Sequence, residues 1–588
     1  MVLKKSGATS GEEITHSVGR YISSVLSFSL ICVFVVYHCG RGVIVISCFW
    51  TPVVSQKPGA CDLAVFGVYI QQMFEGWETE MTKSRLGYKS SLASMAAMML
   101  SVTAAQNVSA QSTNNHNQNG NAVANQSPGA VDPGVRGGPP GSGGPVDGLN
   151  AAQQAFFTAA QASFSVIETV PVGLGPGFNE LSCGSCHIFP AVGGSSPASN
   201  PQVTDANVMG GTNVIPAFIT ANGPIREARF VLNPDGTPDG GVHDLFSTQG
   251  RSDAPGCVFP QPNFAAELAH NNVIFRIPPP AFGDGLVEGV SDLSLENALA
   301  AQGQQKRSLG ISGHFNLSGN TGNITRFGWK AQNASMLMFA GEAYNVEEGV
   351  NNDLFPNERN PSASAQCSPA PFPEDTVATT DGGDSASAAS DFNSDIVNFA
   401  MFTRLLAPPT PAVPLSTSST TSTTPASSTV AMASVLPMAA GSSSSSNAAA
   451  SSAASITAGL KAFINVGCAA CHTMNQTTGN LALIDTTTNP AVSNITINPF
   501  SDFAVHNMGS GLADRVTQGN ANGFEFRSAP LWGVGQRVYF LHDGRTNNLL
   551  TAIEQHASNG SEANQVIKAF NMLKTTDKQN ILNFLRDL

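Results

Sequence analysis

The sequence predicts a mainly α-helical fold with two separate folded domains. Three observations support this: the motif Cys-x-x-Cys-His occurs twice, at Cys183–His187 and Cys468–His472; an apolar helical pattern leads into each copy; and a Pro/Ser/Thr/Ala-rich tract at 408–455 separates them. We expect the N-terminal domain at 149–407, elaborated with long loops and short β segments, and the C-terminal domain at 456–588.

Each motif can attach one haem covalently. Two thiols three residues apart reach the two vinyl groups of one porphyrin, and the imidazole that follows can ligate the iron. A four-thiolate zinc cluster is the alternative, but zinc does not require a His after each Cys pair. The sequence therefore predicts two cytochrome c-like domains with two covalently attached haem c groups. The attachment and proximal ligand residues are Cys183, Cys186, His187, Cys468, Cys471 and His472.

The periodicity places helices at both ends of the C-terminal domain. One runs over Ile456–Val466, and a capping-box pattern at Thr576–Gln579 starts the last one. In the N-terminal domain a helix over Ala151–Phe164 enters the first motif, and Val214–Ile219 is a β-like run. The last helix has one apolar face, formed by Ile581, Leu582, Phe584, Leu585 and Leu588.

Residues 81–110 have the order of a secretory signal: basic residues, an apolar stretch and a small-residue cleavage site. Residues 1–80 are then an upstream extension outside the true reading start, or a membrane anchor over 22–50 that Gly40–Gly42 interrupts. Residues 111–148 are poor in large apolar side chains and predict a disordered linker. Export agrees with covalent haem attachment, and the expected location is periplasmic.

Oxidising conditions outside the cytoplasm permit Cys257 and Cys367 to pair, although two free buried thiols are equally compatible with the sequence. The formal net charge of −13, with 12% charged and 41% apolar residues, describes an acidic globular protein and argues against a nucleic-acid partner.

Function depends on the second axial position of each iron, which the motif does not supply. The candidates are the remaining histidines after the signal segment and several methionines, and composition does not choose among them. They are His116, His243, His270, His314, His506, His542, His556, Met336, Met338, Met474, Met508 and Met572.

Several short motifs, in order along residues 149–588 without the low-complexity tract, resemble the di-haem oxidoreductase family of peroxidase type. That family is similar to bacterial di-haem cytochrome c peroxidases and to MauG, which matures a tryptophan-derived quinone in a partner protein. The motifs are Gly173–Asn179, Phe275–Pro280, Arg326–Ala331, Pro499–Asp502, His506–Gly509, Leu531–Gly533 and Leu541–Arg545.

The resemblance implies a distal ligand for the second haem fourteen residues after His542, where His556 stands. His556 also shares a helical face with Leu549 and Ile553, while a surface or hydrogen-bonded His is the alternative. The peroxidases usually have Met here and MauG has Tyr. Since a His/His pair favours ferric iron, the second haem is expected to have a lower potential than a peroxidase's electron-entry haem. His542 with Asp543 is expected to support this site.

For the first haem the resemblance implies an open iron, an inter-haem Trp at Trp329 and a distal acid/base at Glu347, since peroxide also needs a nearby acid to polarise its O–O bond. Trp329 in the core, or a solvated acidic pair at Glu347 and Glu348, are the alternatives. His243 is the rival: if it ligates the first iron, the open position disappears.

Arg276, Arg527 and Arg545 are candidates to pair with haem propionates, because a guanidinium binds carboxylates in bidentate fashion. The resemblance leaves a calcium ion between the domains as an option. The expected function is an exported di-haem oxidoreductase that reduces hydrogen peroxide or a related oxidant with electrons from a small cytochrome or cupredoxin. An electron-transfer cytochrome without its own catalysis, or MauG-like oxidation of a partner protein, are the alternatives.

Overall fold

A computed structural model of the chain gives the architecture. It describes residues 37–39, 42–44, 129–137, 141–168, 174–175, 180–239, 246–248, 250–258, 261–357, 394–414, 444–481, 489 and 491–588, with the backbone alone at 37–39, 42–44 and 444–452. The chain divides into two compact units, 1–122 and 123–588. In the first unit, strands β1 (Tyr37–Cys39) and β2 (Gly42–Ile44) pair antiparallel.

The second unit is rich in helices. In chain order they are α1 (Ala151–Ser163), α2 (Cys183–Cys186), α3 (Pro201–Val208), α4 (Phe264–Ala269), α5 (Asp284–Glu288), α6 (Asp292–Ala301), α7 (Gly303–Leu309), α8 (Met336–Glu347), α9 (Asp395–Leu405), α10 (Ser444–Val466), α11 (Gly509–Leu512), α12 (Leu549–Glu554), α13 (Asn564–Asn571) and α14 (Thr575–Asp587). Short 3₁₀ turns lie at Cys468–Ala470 and Val534–Gln536.

The strands of this unit form two-stranded antiparallel ribbons only. They are β3 (Glu227–Phe230) with β4 (Val273–Arg276), β5 (Gln476–Thr477) with β6 (Thr496–Ile497), and β7 (Val505–Asn507) with β8 (Glu525–Arg527). The predicted class, mainly α with short β segments, is therefore confirmed. The predicted run Val214–Ile219 is wrong as a strand: it forms an irregular segment with a turn.

The first core packs α1, α8 and α9 together. Helix α1 begins with the capping box of Asn150 and Gln153, and it buries Phe157 on the side that faces α9. The ring of Phe402 in α9 lies 5.4 Å from that of Phe157 and 4.9 Å from that of Phe164. Phe164 in turn meets the ring of His187 edge-on at 6.1 Å, so this core supports the first motif directly.

The second core is built on α10 and α14, which cross closely. A Cβ at Gly459 would stand 2.0 Å from the carbonyl oxygen of Asn580, so only glycine permits this approach. The predicted apolar face of the last helix is buried throughout. The predicted capping box is wrong, because α14 begins at Thr575 after Lys574, which makes no side-chain capping bond.

Residues 129–137, which we call the strap, fall in the segment predicted to be a linker. In the structure the strap lies against the C-terminal helices. The Asp132 carboxylate accepts two hydrogen bonds from Arg586 at 2.7 Å and one from the backbone N–H of Leu549 at 2.6 Å. The strap thus connects the start of α12 to the end of α14.

The predicted signal at 81–110 lies outside the described residues, and of the proposed extension or anchor only β1 and β2 are described. Within the described part of the chain, we find no helix with the length and hydropathy needed to cross a bilayer. Cys257 is disulfide-bonded, so the alternative of a free thiol is wrong for this residue. Cys367 lies outside the described residues.

Candidate haem-binding sites

The first motif forms a single helical turn. The Ser182 hydroxyl caps α2 by accepting a hydrogen bond from the backbone N–H of Gly184 at 3.1 Å, and Cys183 and Cys186 are the first and last residues of this turn. Neither thiol is in a disulfide. Both remain available for attachment on the same short element.

His187 follows the turn, and its Nδ1 lies 3.0 Å from the carbonyl oxygen of Gly194. Because a carbonyl only accepts, Nδ1 carries the proton and the neutral ring keeps its lone pair on Nε2. Burial lowers the pKa of His187 to about 4, so the ring is neutral at physiological pH. These are the features of an imidazole prepared to ligate a metal.

The second motif repeats this arrangement on a different backbone. Gly467, with φ of 102°, turns the chain out of α10 into the 3₁₀ turn that carries Cys468. The Nδ1 of His472 lies 3.0 Å from the carbonyl oxygen of Phe500, and burial lowers its pKa to about 4. The two motifs therefore present equivalent histidines.

The cavity beside the second motif, the second-motif cavity, is a space of about 1520 Å³ that is partly open to solvent and lined chiefly by apolar side chains. Cys468, Cys471, His472 and His556 all line it. His556 lies two residues beyond the end of α12, and its Nδ1 lies 2.8 Å from the carbonyl oxygen of Ala552. His556 thus has its lone pair on Nε2, like both motif histidines, and it is brought to the same cavity as His472.

Two further histidines line this cavity but are committed elsewhere. His506 contacts Glu562 through Nδ1 at 3.0 Å and Asp502 through Nε2 at 3.1 Å, so neither nitrogen is left for a metal. His542 stacks on Phe526, with 4.3 Å between the ring centroids, and its Nε2 faces the carboxylate of Asp543 at 4.0 Å. His556 is therefore the better-placed partner for His472.

The cavity beside the first motif, the first-motif cavity, is smaller, about 560 Å³. Cys186 and His187 line it, and so do the predicted residues Trp329, Glu347 and Arg276. No other histidine and no methionine stands among the described residues that line it. His243, the alternative ligand for the iron at this site, lies outside the described residues.

Glu347 is the last residue of α8 and is half-buried. Burial raises its pKa to about 8, the charge of Glu227 adds to the rise, Arg229 opposes it and Glu342 adds a further increase. Glu348 is buried and accepts a hydrogen bond from the Cys183 thiol at 2.9 Å. A solvated acidic pair is therefore the wrong description: the two carboxyls point into different buried surroundings.

The ribbon of β3 and β4 forms one wall of the first-motif cavity. Glu227 and Arg229 alternate along β3, so they share one face, and Glu227 stands opposite Arg276 across the ribbon. An Arg229 Nη2 donates to Glu227 at 2.7 Å. Neither residue was predicted from the sequence. The alternation Glu-x-Arg in a short strand is the signal that could have pointed to them.

Trp329 lines both cavities, as does Ile277. Its indole Nε1 donates to the carbonyl oxygen of Ile277 at 2.9 Å, and its ring lies 6.4 Å from that of His542 in an edge-on arrangement. Trp329 is half-buried between the two sites. The alternative of a purely core Trp does not describe this position.

The three predicted propionate partners separate. Arg276 lines the first-motif cavity and is paired with Asp514, and Arg527 lines the second-motif cavity. Arg545 lines neither cavity and pairs with Asp543 at 2.6 Å, so the structure does not bring it to a haem site.

Arg537 lines the second-motif cavity and was missed by the sequence analysis. Burial lowers the pKa of Arg527 and that of Arg537 to about 10, and at Arg537 the charge of Arg527 lowers it further. The nearby carboxyl of Asp284 opposes the fall of both pKa values. The buried Nε of Arg537 has no hydrogen-bond partner among the described residues. Two half-buried arginines thus have one neighbouring carboxyl between them. The propionates of a bound haem would supply the missing negative charge.

Among the described residues, no group of three or more His, Cys, Asp or Glu side chains is suited to hold a metal ion directly. The calcium ion between the domains stays a prediction.

The thiol pairs, the oriented histidines and the unpartnered guanidinium nitrogen of Arg537 give the described chain two cavities whose residues fit haem. Residues 417–588 match the family model described as "Di-haem oxidoreductase, putative peroxidase". Comparison with curated proteins and with solved structures gave no match. The family match covers the second motif and His556, and it confirms the resemblance to the di-haem oxidoreductase family that the sequence motifs predicted.

Proposed function

We propose that this protein is an exported di-haem c-type oxidoreductase that reduces hydrogen peroxide at the first site with electrons that enter through the second. The observation that carries the proposal is the inequality of the two cavities. His556 faces the second motif, whereas no histidine or methionine besides His187 is described in the first-motif cavity. The family description supports an oxidoreductase in general.

Bound haem would supply an iron that exchanges electrons and accepts small oxidants at an open position. At the first site Cys183 and Cys186 would hold it and His187 would ligate it through Nε2. The backbone carbonyl of Gly194 fixes the ring orientation of His187, as partners beyond the metal typically do. At the second site Cys468 and Cys471 would hold the haem and His472 and His556 would both ligate its iron, so that this site would carry electrons and would not bind peroxide.

Glu347 is the proton donor of the first site in this proposal. Its raised pKa keeps it protonated at neutral pH, and it lines the same cavity as His187. A protonated carboxyl can give its proton to the oxygen that departs when the O–O bond breaks. Trp329, which borders both cavities, lies where electrons pass from the second site to the first.

Export is part of the proposal. Covalent haem attachment by this motif takes place outside the cytoplasm, residues 81–110 have the order of a secretory signal, and Cys257 is in a disulfide, which is typical of an oxidising compartment. The electron donor in the proposal is a small cytochrome or cupredoxin.

The test is spectroscopic and kinetic on the haem-loaded protein. We expect a high-spin ferric signal that shifts when cyanide is added, a second low-spin signal that does not, and peroxide consumption driven by a reduced small cytochrome. Two low-spin haems without a cyanide shift would overturn the proposal and favour an electron-transfer cytochrome. Peroxide-dependent oxidation of a partner protein without turnover of the cytochrome would favour the MauG-like alternative.

A further inference from the structure

Glu227 is a second carboxylate in the first-motif cavity. It lies at the start of β3, opposite Arg276, and is 8% exposed. Its Oε2 accepts two hydrogen bonds from Arg229, from Nε at 3.1 Å and from Nη2 at 2.7 Å. These two hydrogen bonds fix the orientation of the Glu227 carboxyl.

The other oxygen, Oε1, is buried and has no hydrogen-bond partner among the described residues. A buried acceptor without a donor costs about 1–3 kcal/mol. Glu227 lines the cavity, so a slight turn of its carboxyl toward a molecule bound there would give this buried oxygen a hydrogen-bond donor. A neutral molecule with an O–H group, such as hydrogen peroxide, is the kind of ligand that this acceptor fits.

Glu347, in the same cavity, has the opposite character. Burial and the charge of Glu227 raise its pKa, so it carries a proton at neutral pH while Glu227 is ion-paired. A carboxyl that is ion-paired with a guanidinium and a neighbouring carboxyl that keeps its proton are suited to act as base and acid in one reaction. A single carboxyl would have to take the first proton and return it.

We propose that Glu227 is a second catalytic carboxylate, whose Oε1 accepts a proton from hydrogen peroxide in the first-motif cavity while Glu347 donates a proton to the departing oxygen. The inference rests on the proposed function. Arg229 is the positioning residue that fixes Glu227.

Glu227 takes the proton from one peroxide oxygen and Glu347 protonates the other, which leaves as water with the O–O bonding pair. Two reduced donor proteins supply one electron each, which bound haem would relay. The proton held by Glu227 and one from solvent go to the first oxygen, which becomes the second water, and another solvent proton restores Glu347. One peroxide therefore consumes two electrons and two protons and yields two waters.

Glu227→Gln in the haem-loaded protein tests this. Cyanide enters as hydrogen cyanide, a weak acid that must lose its proton on binding, whereas carbon monoxide binds the reduced site without proton transfer. We expect both the cyanide association rate and peroxide turnover to fall about 100-fold or more, as for loss of a general base, with the carbon monoxide rate unchanged. Glu342→Gln is the matched control. Glu342 lies on α8, accepts a hydrogen bond from Asn333 at 2.7 Å and does not line the cavity. Below pH 7, where Glu347 stays protonated in this variant as well, both rates should keep the wild-type values.

The outcomes separate the two proposals. If the wild-type protein does not turn over peroxide, the proposed function fails and this inference fails with it. If the wild-type protein turns over peroxide but Glu227→Gln keeps the wild-type cyanide and turnover rates, the inference alone is overturned. An equal fall in the carbon monoxide rate would show a structural role and also overturn it. If Glu227→Gln does not load haem, Glu227→Asp replaces it, because the shorter side chain keeps a carboxylate but withdraws it by one carbon. In this variant too, the cyanide association rate must fall while the carbon monoxide rate stays unchanged.

Discussion

Replacing Glu347 by Gln tests whether a protonated carboxyl supplies the proton for peroxide reduction. Burial raises the pKa of Glu347 to about 8 from an ordinary value of 4.5, with Glu227 and Glu342 adding to the rise and Arg229 opposing it. At pH 7 a carboxyl of pKa 8 is about 90% protonated, whereas an ordinary Glu is protonated in roughly 0.3% of molecules. The surroundings therefore enrich the acid form about 300-fold.

In the wild-type protein we expect kcat for peroxide to be constant below about pH 7 and to fall about tenfold per pH unit above pH 8, because the acid form of Glu347 is lost there. Glu347→Gln should lower kcat by about 100-fold to 10,000-fold and remove this pH dependence. The assay is steady-state oxidation of a reduced small cytochrome between pH 6 and pH 10 at constant ionic strength.

Glu342→Gln on the same helix is the control and should keep the alkaline fall, displaced slightly to lower pH, because it removes a neighbouring negative charge. The reasoning would be refuted by a Glu347→Gln variant with wild-type kcat, or by one that still loses activity near pH 8. Either result would assign the proton to another group.

The raised pKa of Glu347 also makes the stability of the folded protein depend on pH. The folded state holds the proton of Glu347 more tightly than the unfolded chain, so its contribution is fully present below about pH 4.5 and is lost as the pH rises through about 8. Urea unfolding between pH 5 and pH 9 should therefore show a smaller decline in Glu347→Gln than in the wild-type protein. An identical pH profile in both proteins would contradict the raised pKa.

Three further predictions concern the second site, the bridge and the strap. His556→Ala should convert the second haem to a high-spin, cyanide-binding form, whereas His556→Met should keep it low-spin with a higher midpoint potential; unchanged spectra in both variants would remove His556 as a ligand. Trp329→Phe should preserve both haem spectra but slow electron transfer between the sites in stopped-flow traces, while Trp532→Phe, which lies in the first core and lines neither cavity, should not. Asp132→Asn should lower the free energy of unfolding by about 2 kcal/mol, because it removes the charged hydrogen bonds of Asp132 to α14 and α12. Urea titration measures this change, and the control Glu296→Gln, at an exposed position, should show none.

The haem sites were predictable to the extent that their chemistry is local. The Cys-x-x-Cys-His motif specifies its own geometry, and the structure gives both copies a tight turn and a neutral histidine with Nδ1 bound to a carbonyl. His556 and Glu347 were named from a motif-based resemblance, and each lies in the expected cavity. Arg537 was missed because nothing in its immediate sequence marks it, and Glu227 and Arg229 were missed because their alternation in a short strand does not show that β4 pairs with it.

Secondary structure followed the same division. The apolar face of α14 was readable from its periodicity, but its first residue was not, because no side chain caps it. Val214–Ile219 has strand-like composition and is irregular, whereas β3 and β4 pair across a long separation in the chain. The strap, poor in large apolar residues, lies in place through the ion pair of Asp132 and Arg586, a contact that no local pattern predicts.

Two Cys-x-x-Cys-His motifs and a helix-rich fold could be inferred from the chain alone, since covalent spacing and helical periodicity are properties of neighbouring residues. The family resemblance added the expectation that the two sites differ, and the tertiary structure showed which side chains line each cavity. The inequality arises because α12 brings His556 to one motif, while β3 and the end of α8 bring Glu227, Arg229 and Glu347 to the other. These approaches depend on packing between distant segments, which the order of residues along the chain does not display.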